Sequence, residues 1–227
     1  MIIFKFEVNL SPKDKRGNRK EPNLTRADIP RLPFLSLTKS QLLSFIMGIY
    51  NPSGLLAPLV IKLKLELRKL FGGELGWDDV IPNVNQEAWV ALLTEILNID
   101  SIQISRSVQP SDAVGSPELY LFWDGSMDAY ACCIYIRWML DGSSSAKFKV
   151  YLLAGKARVT ALKGTTTPRS ELDSLLISSR LLLLAVMSLN EKPSIIKVAG
   201  DSQCTVAAMD KTGGLLGPCF SKRVLKI

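Results

Sequence analysis

The sequence predicts a mixed α/β domain preceded by a small all-helical segment, and three observations support this. Residues 37–112 carry apolar side chains at helical spacing. From Glu118 onward, aromatic and β-branched runs separated by short polar turns indicate antiparallel strands. A capped helix and a short apolar run follow, so that the element order β-β-β-α-β-α is typical of a layered α/β fold.

The composition indicates a chain that packs a core. Of its 227 residues, 47% are hydrophobic and 22% are charged, which excludes an extended disordered polymer. The apolar run 181–189 is much shorter than the roughly 20 residues of a membrane span. The N-terminus lacks the pattern of a secretory signal. We therefore expect an intracellular protein of the cytoplasm or nucleus, neither secreted nor bound to a membrane.

The cysteines argue against a zinc site. The chain has 4 cysteines, no CxxC pair and no histidine, whereas structural zinc sites use Cys and His ligands at short spacings. The neighbours Cys132 and Cys133 should point to opposite faces of a strand. We interpret them as buried, reduced thiols, which suits an intracellular protein.

Residues 1–36 form a basic lead-in after a short alternating stretch. Between Lys13 and Arg31, seven Lys and Arg face three Asp and Glu, and prolines interrupt the segment. This composition indicates an exposed connector, either a solvated loop or a segment that contacts nucleic-acid phosphates. The net charge of +7 is compatible with nucleic acid or an acidic surface. The candidate phosphate-binding residues are Lys13, Lys15, Arg16, Arg19 and Lys20.

Residues 37–112 should contain three helices. Thr38 is a plausible N-cap for the first, which should end near the Asn-Pro-Ser-Gly turn at 51–54. The second has an apolar face at three-to-four spacing, made by Leu56, Leu59, Val60, Leu63, Leu67 and Leu70. The third places Trp89, Leu92, Leu93 and Ile96 on one side. Together they predict a small helical bundle.

The part from 118 to 227 should begin with three antiparallel strands, within residues 118–126, 129–140 and 146–159. A long helix follows, for which Thr167 is the expected N-cap and Glu171 lies in the first turn. The apolar stretch 193–202 then predicts a buried parallel strand, and a further helix should begin near Gln203.

Three acidic residues stand where these elements begin or end. Asp124 ends the first strand, Glu171 opens the long helix, and Asp201 follows the parallel strand. Functional groups of α/β sheets gather at such positions. Converging carboxylates need a cation between them, and Mg²⁺ prefers oxygen ligands. Two such ions roughly 4 Å apart can clamp the oxygens of a phosphodiester.

Each carboxylate also has a structural interpretation. Asp124 could make a turn with Gly125. Glu171 could favour the helix N-terminus through the helix dipole, and Asp201 could cap the next helix. Their joint placement at element ends is what favours a metal site. We assign turn or surface roles to the other acidic residues of this region, Asp128, Asp141 and Asp173.

Several ordered stretches resemble the polyprotein of BEL/Pao-type retrotransposons. They are LTKSQLLSFIMGIYNPSGLLAPLVIKLKLELRKLF, GWDDVIP, LFWDGSMDAYACCIYIR, LLAGKARVTALKGTTTPRSELDSLL and VAGDSQCTVAAM. The resemblance implies a basic connector after the reverse transcriptase palm (1–36), a helical thumb or connection segment (37–112), and an RNase H-like domain (118–227). It also implies the rest of the polyprotein as a partner.

The resemblance implies catalytic and metal-binding roles for Asp124, Glu171 and Asp201. By analogy, these residues would hold two Mg²⁺ or Mn²⁺ ions, activate a water and cut the RNA strand of an RNA–DNA hybrid. Such an RNase H-type endoribonuclease reads groove shape and the 2′-hydroxyl, so its sequence preference should be weak.

The chain departs from the family pattern at its C-terminus. The family's RNase H continues past the position of Ile227 with a strand and a helix that carries a fourth acidic residue, so we expect a C-terminally incomplete domain with impaired activity. Two alternatives stay open: a nucleic-acid-binding remnant without catalysis, and an inert transposon-derived fragment.

Overall fold

The computed structural model describes residues 2–5, 7–11, 18–19, 21–99, 101–142, 146–162, 165–203 and 205. Its helices are α1 (Lys39–Gly48), α2 (Ala57–Arg68), α3 (Asn83–Leu97) and α4 (Thr167–Ser188), with a 3₁₀ helix at Arg26–Phe34. Its strands are β1 (Ile2–Phe4), β2 (Ile102–Ile104), β3 (Ala113–Gly125), β4 (Ala129–Leu140), β5 (Phe148–Val159) and β6 (Ile195–Ala199). Among these described residues, no helix is both long and apolar enough to cross a membrane.

The chain divides into two compact units that do not follow the linear order of the sequence. The helical unit comprises 1–50 and 62–106, and the sheet unit comprises 51–61 and the chain from Ser107 onward. The segment 51–61, which the sequence places with the helices, therefore belongs with the sheet.

The helices of the first half agree with their sequence signals. The Thr38 hydroxyl accepts a hydrogen bond from the Gln41 amide, and the Gln41 side chain accepts one from the Thr38 amide, which confirms the cap of α1. The predicted periodicities are also confirmed, because Leu63 and Leu67 are the buried residues of α2. The buried residues of α3 are Trp89, Leu93, Ile96 and Leu97.

The lead-in carries more structure than its composition indicates. β1 pairs antiparallel with β2, and Val8 pairs with Leu24. Val8 and Leu32 are both fully buried. A basic, proline-containing segment can thus bury isolated apolar residues, and the 3₁₀ helix at Arg26–Phe34 shows that part of it is folded.

The sheet unit contains a mixed four-stranded sheet in the order β5-β4-β3-β6. Strands β3, β4 and β5 are antiparallel neighbours, and β6 pairs parallel with β3. Together with the helix α4 packed against it, this confirms the predicted mixed α/β fold.

Helix α4 covers one face of this sheet. The buried residues of β3 and β4 alternate along each strand and pack with Leu175 and Ile177 of α4. The strand residues of this core are Leu119, Leu121, Trp123, Cys132, Ile134, Ile136 and Trp138. The intervening residues lie on the opposite face, which we call the open face; it includes Tyr120, Phe122, Asp124, Cys133, Tyr135 and Arg137.

Several details of the predicted elements are wrong. Strand β3 begins at Ala113 rather than Glu118, and Ile102–Ile104, within the predicted helical segment, forms β2. The N-cap of α4 is Thr166 rather than Thr167, because the helix begins one residue earlier and so places Glu171 beyond the first turn. Strand β6 is exposed along its whole length, not buried, since it lies at the edge of the sheet. Of the helix predicted from Gln203, only Gln203 and Thr205 fall among the described residues, and both are helical.

The segment 51–61 contacts strand β5 backbone to backbone. The Gly155 amide donates a hydrogen bond of 2.8 Å to the Ser53 carbonyl. Gly54 has φ +77°, and a Cβ added to it would lie 1.8 Å from the Gly155 carbonyl oxygen. Only glycine therefore fits at position 54, both in backbone conformation and in space.

Candidate active site

The register between β3 and β6 aligns two of the three candidate carboxylates. Phe122 pairs with Ala199, so Asp124 and Asp201 each follow the last paired residue by two positions. The two strands are parallel, and both residues therefore lie at the same end of the sheet. Gly200 lies close to the ring of Trp123, where an added Cβ would come within 2.2 Å of a ring carbon. This contact holds the end of β6 against the end of β3.

The third carboxylate belongs to α4, whose backbone reaches the same end of the sheet. A Cβ added to Gly125 would lie 2.5 Å from the Glu171 backbone nitrogen and 2.8 Å from its Cα. Such proximity is possible because Gly125 has no side chain. At the level of the backbone, Asp124 and Glu171 are thus neighbours.

Two hydroxyls bind the carboxylate of Glu171. The Ser202 hydroxyl donates a hydrogen bond to it, and the Thr205 hydroxyl donates a longer one of 3.4 Å. Ser202 also accepts the Thr205 amide at 3.2 Å, in the manner of a helix N-cap. Ser202 and Thr205 are both buried. They orient the Glu171 side chain toward the segment that follows β6, where Asp201 lies.

Sequence reasoning missed this pair of hydroxyls. The pattern Ser-x-x-Thr directly after an apolar strand is a recognisable N-cap signal for the helix predicted from Gln203. This pattern identifies Ser202 as the N-cap of that helix, a role that the sequence also allows for Asp201.

Asp124 lies on the open face, away from α4. It is exposed, whereas its neighbours Trp123 and Gly125 are buried toward the helix. Its carboxylate accepts a hydrogen bond of 2.7 Å from the Gly125 amide. It also lines a cavity of about 500 Å³ that includes Phe122 and Tyr135 and is bordered by residues of the segment 51–61.

The structure therefore places Asp124, Glu171 and Asp201 at one end of the sheet, but their side chains do not form one cluster. Among the described residues, which include all three, no group of three or more His, Cys, Asp or Glu could hold a metal ion as it stands. The roles of the three carboxylates as metal ligands stay a prediction.

Comparison with protein families gives one match. The family described as "Pao retrotransposon-like RNaseH-like domain" matches residues 38–202, more than half of the chain. The chain belongs to this family. The match confirms the resemblance to BEL/Pao retrotransposons and the RNase H-like fold. It begins at Thr38, so it includes the helices α1–α3 as well as the sheet. A comparison with curated proteins found no match.

The basic lead-in precedes the matched region, and four of its candidate phosphate-binding residues lie outside the described residues: Lys13, Lys15, Arg16 and Lys20. Arg19 is described, and its guanidinium donates hydrogen bonds to the carbonyls of Ser11, at 2.6 Å, and Ser44, at 3.4 Å. These bonds join the lead-in to α1. Arg19 thus has a structural role, and phosphate binding by all five residues stays a prediction.

The two described cysteines of the Pao RNase H-like domain are free thiols. Cys132 is buried toward α4, and Cys133 is half-buried on the open face, so the predicted alternation is confirmed. Burial raises the pKa of both thiols above the ordinary value. Both are therefore protonated at neutral pH, which suits a packing role. Cys204 and Cys219 lie outside the described residues.

Proposed function

We propose that the chain is a metal-dependent nuclease domain that cuts the RNA strand of an RNA–DNA hybrid. The observation that carries this proposal is the placement of Asp124, Asp201 and the backbone of Glu171 at one end of the sheet. Membership of an RNase H-like family supports it. The rest of the retrotransposon polyprotein is the proposed partner in the cell.

The donor set fits a hard divalent cation, because all three side chains offer carboxylate oxygens. We propose that Asp124, Glu171 and Asp201 hold Mg²⁺ or Mn²⁺, with two ions in a complete site. Such ions would supply charge stabilisation at the phosphodiester and a water of lowered pKa. The chain itself orients the carboxylates. For Glu171, the hydroxyls of Ser202 and Thr205 do this by donating hydrogen bonds to the carboxylate.

The substrate follows from the chemistry of the site. An RNase H-like site reads the shape of the hybrid and the 2′-hydroxyl of the RNA strand rather than base edges. We therefore expect cleavage of the RNA strand of a hybrid with weak sequence preference, and no cleavage of double-stranded DNA.

Cleavage by the purified full chain tests this proposal. A hybrid labelled on the RNA strand is incubated with Mg²⁺, with Mn²⁺ or with a chelator, and the products are separated on a denaturing gel. We expect RNA fragments with either metal and none with the chelator. Intact RNA with both metals, from protein whose circular dichroism shows a folded chain, would contradict the proposal.

Ser202→Ala should weaken metal binding without unfolding the protein. The change removes a hydroxyl that donates to the Glu171 carboxylate. Groups that orient metal ligands typically contribute 10–100-fold to metal affinity. We expect the Mn²⁺ concentration for half-maximal cleavage to rise about tenfold.

Ser188→Ala is the matched control, because Ser188 is exposed near the end of α4 and donates to Leu184 of the same helix. It should leave the metal dependence unchanged. The same metal dependence in both variants would show that Ser202 does not position the site.

A second candidate function is nucleic-acid binding without catalysis. It is favoured because, among the described residues, no group of three or more His, Cys, Asp or Glu could hold a metal ion as it stands. Binding of the uncut hybrid that weakens with added salt, together with no cleavage under either metal, would identify this function.

A further inference from the structure

We propose that the open face of the sheet binds single-stranded nucleic acid, with Phe122 as a stacking platform beside Asp124. The proposal rests on the proposed function for its choice of nucleic acid. It adds a binding surface that the carboxylate site does not provide, because this surface extends from Asp124 along β3 and β4 to Phe148 of β5. The segment 51–61, which rests on Gly155 of β5, borders it.

Aromatic rings line the open face. Tyr120 pairs with Tyr135 across β3 and β4, and Phe122 meets Tyr135 edge to face at 6.1 Å between ring centroids. Phe122 is 45% exposed and Phe148 is 36% exposed. Exposed rings on a sheet offer flat surfaces on which unpaired bases stack, whereas bases inside a duplex already stack on one another.

Cations stand beside these rings. The guanidinium of Arg137 lies 4.9 Å from the ring centroid of Tyr120 and 4.3 Å from that of Phe148. The ammonium groups of Lys197 and Lys147 lie 5.4 Å from Tyr120 and 5.5 Å from Phe148, respectively. Cations interleaved with aromatic rings match the alternation of phosphates and bases along a single strand.

Two acidic residues lie on this face of β3: Asp124 at the end of the strand, and Glu118 within the array, where its charge is compensated. Glu118 accepts hydrogen bonds from the Tyr120 hydroxyl at 2.7 Å and from Arg137 at 2.9 Å. Lys147 directly precedes β5, and Lys197 lies on β6. Both are exposed, and they stand at the two opposite edges of the sheet. Away from Asp124, the surface between the two lysines therefore carries a net positive charge and is complementary to a polyanion.

The position of Phe122 connects this surface to the candidate active site. Phe122 and Asp124 lie on the same face of β3, two residues apart, which is about 7 Å along a strand. Phe122 also lines the cavity of about 500 Å³ that contains Asp124. A base stacked on Phe122 would bring the neighbouring phosphate close to the Asp124 carboxylate.

Fluorescence anisotropy with labelled oligo(dT) and oligo(U) tests the proposal on the full chain. The titrations are made with a chelator present, so that their outcome does not depend on metal binding or cleavage. We expect Phe122→Ala to weaken binding about tenfold and Phe122→Tyr to keep it, because tyrosine retains the ring. Met187→Ala, which truncates an exposed residue of α4, should have no effect.

The salt dependence supplies an independent readout. Lys197→Gln should reduce the slope of log affinity against log salt by about 0.7, the contribution of one phosphate contact to a single strand. The exposed Lys192→Gln should leave the slope unchanged.

Wild-type affinity in Phe122→Ala, or an equal loss in Met187→Ala, would overturn the proposal, as would preferential binding of double-stranded DNA. If cleavage fails while these binding effects appear, the nuclease proposal fails and this one stands. If cleavage occurs while these binding effects are absent, this proposal fails and the nuclease proposal stands.

Discussion

Asp124→Asn is expected to abolish cleavage of an RNA–DNA hybrid, with a loss of at least about a hundredfold. The substitution replaces a charged oxygen ligand by a neutral amide. The amide oxygen can still accept the Gly125 amide, which is 2.7 Å from the carboxylate, and the side chain is exposed, so the fold should not change. Initial rates on the labelled hybrid at saturating Mn²⁺ measure the effect.

Asp128→Asn is the matched control for this experiment. Asp128 lies in the turn between β3 and β4, only four positions further on, and its backbone carbonyl accepts hydrogen bonds from Thr160. Because a side-chain substitution leaves that carbonyl in place, cleavage should continue at the wild-type rate. Equal rates in Asp124→Asn and wild type would show that the cleavage comes from a contaminating nuclease.

Gly125→Ala should destabilise the sheet unit by about 3 kcal/mol and reduce cleavage at the same time. The added Cβ would lie 2.5 Å from the Glu171 nitrogen and 2.6 Å from the Ser170 carbonyl carbon. Both atoms are backbone, so α4 itself must move away from β3, and Glu171 moves with it. Urea unfolding followed by circular dichroism gives the free energy of unfolding.

Gly73→Ala provides the comparison for Gly125→Ala. A Cβ added to Gly73 meets no heavy atom within 4 Å, so the change in the free energy of unfolding should stay within about 0.5 kcal/mol. If both variants unfold at the same urea concentration, the close approach of β3 and α4 at Gly125 does not exist.

The sequence predicted the elements that carry strong local signals. The cap of α1 at Thr38 and the limits of β4 at Ala129 and Leu140 are confirmed, because capping and alternation act between near neighbours. The RNase H-like fold followed from the resemblance and is confirmed by the family match.

Features that depend on distant parts of the chain could not be predicted in this way. The apolar run of β6 looks the same whether a strand is central or at an edge, and only the strand order shows that it lies at an edge. Whether Asp124 faces toward or away from α4 depends on which side of the sheet α4 packs, since one residue of strand register reverses every side chain. The contact of Ser202 with Glu171 joins residues of two separate elements.

The close approach of Gly54 and Gly155 has a consequence for how the sheet unit is made. During synthesis, residues 51–61 emerge well before the strand against which they rest, and the whole of 62–106 must leave the ribosome in between. A polypeptide started at Ser107 would lack the Ser53 carbonyl that receives the Gly155 amide. Dissecting the protein at the linear boundary between helices and strands would therefore leave the sheet unit without one of its parts.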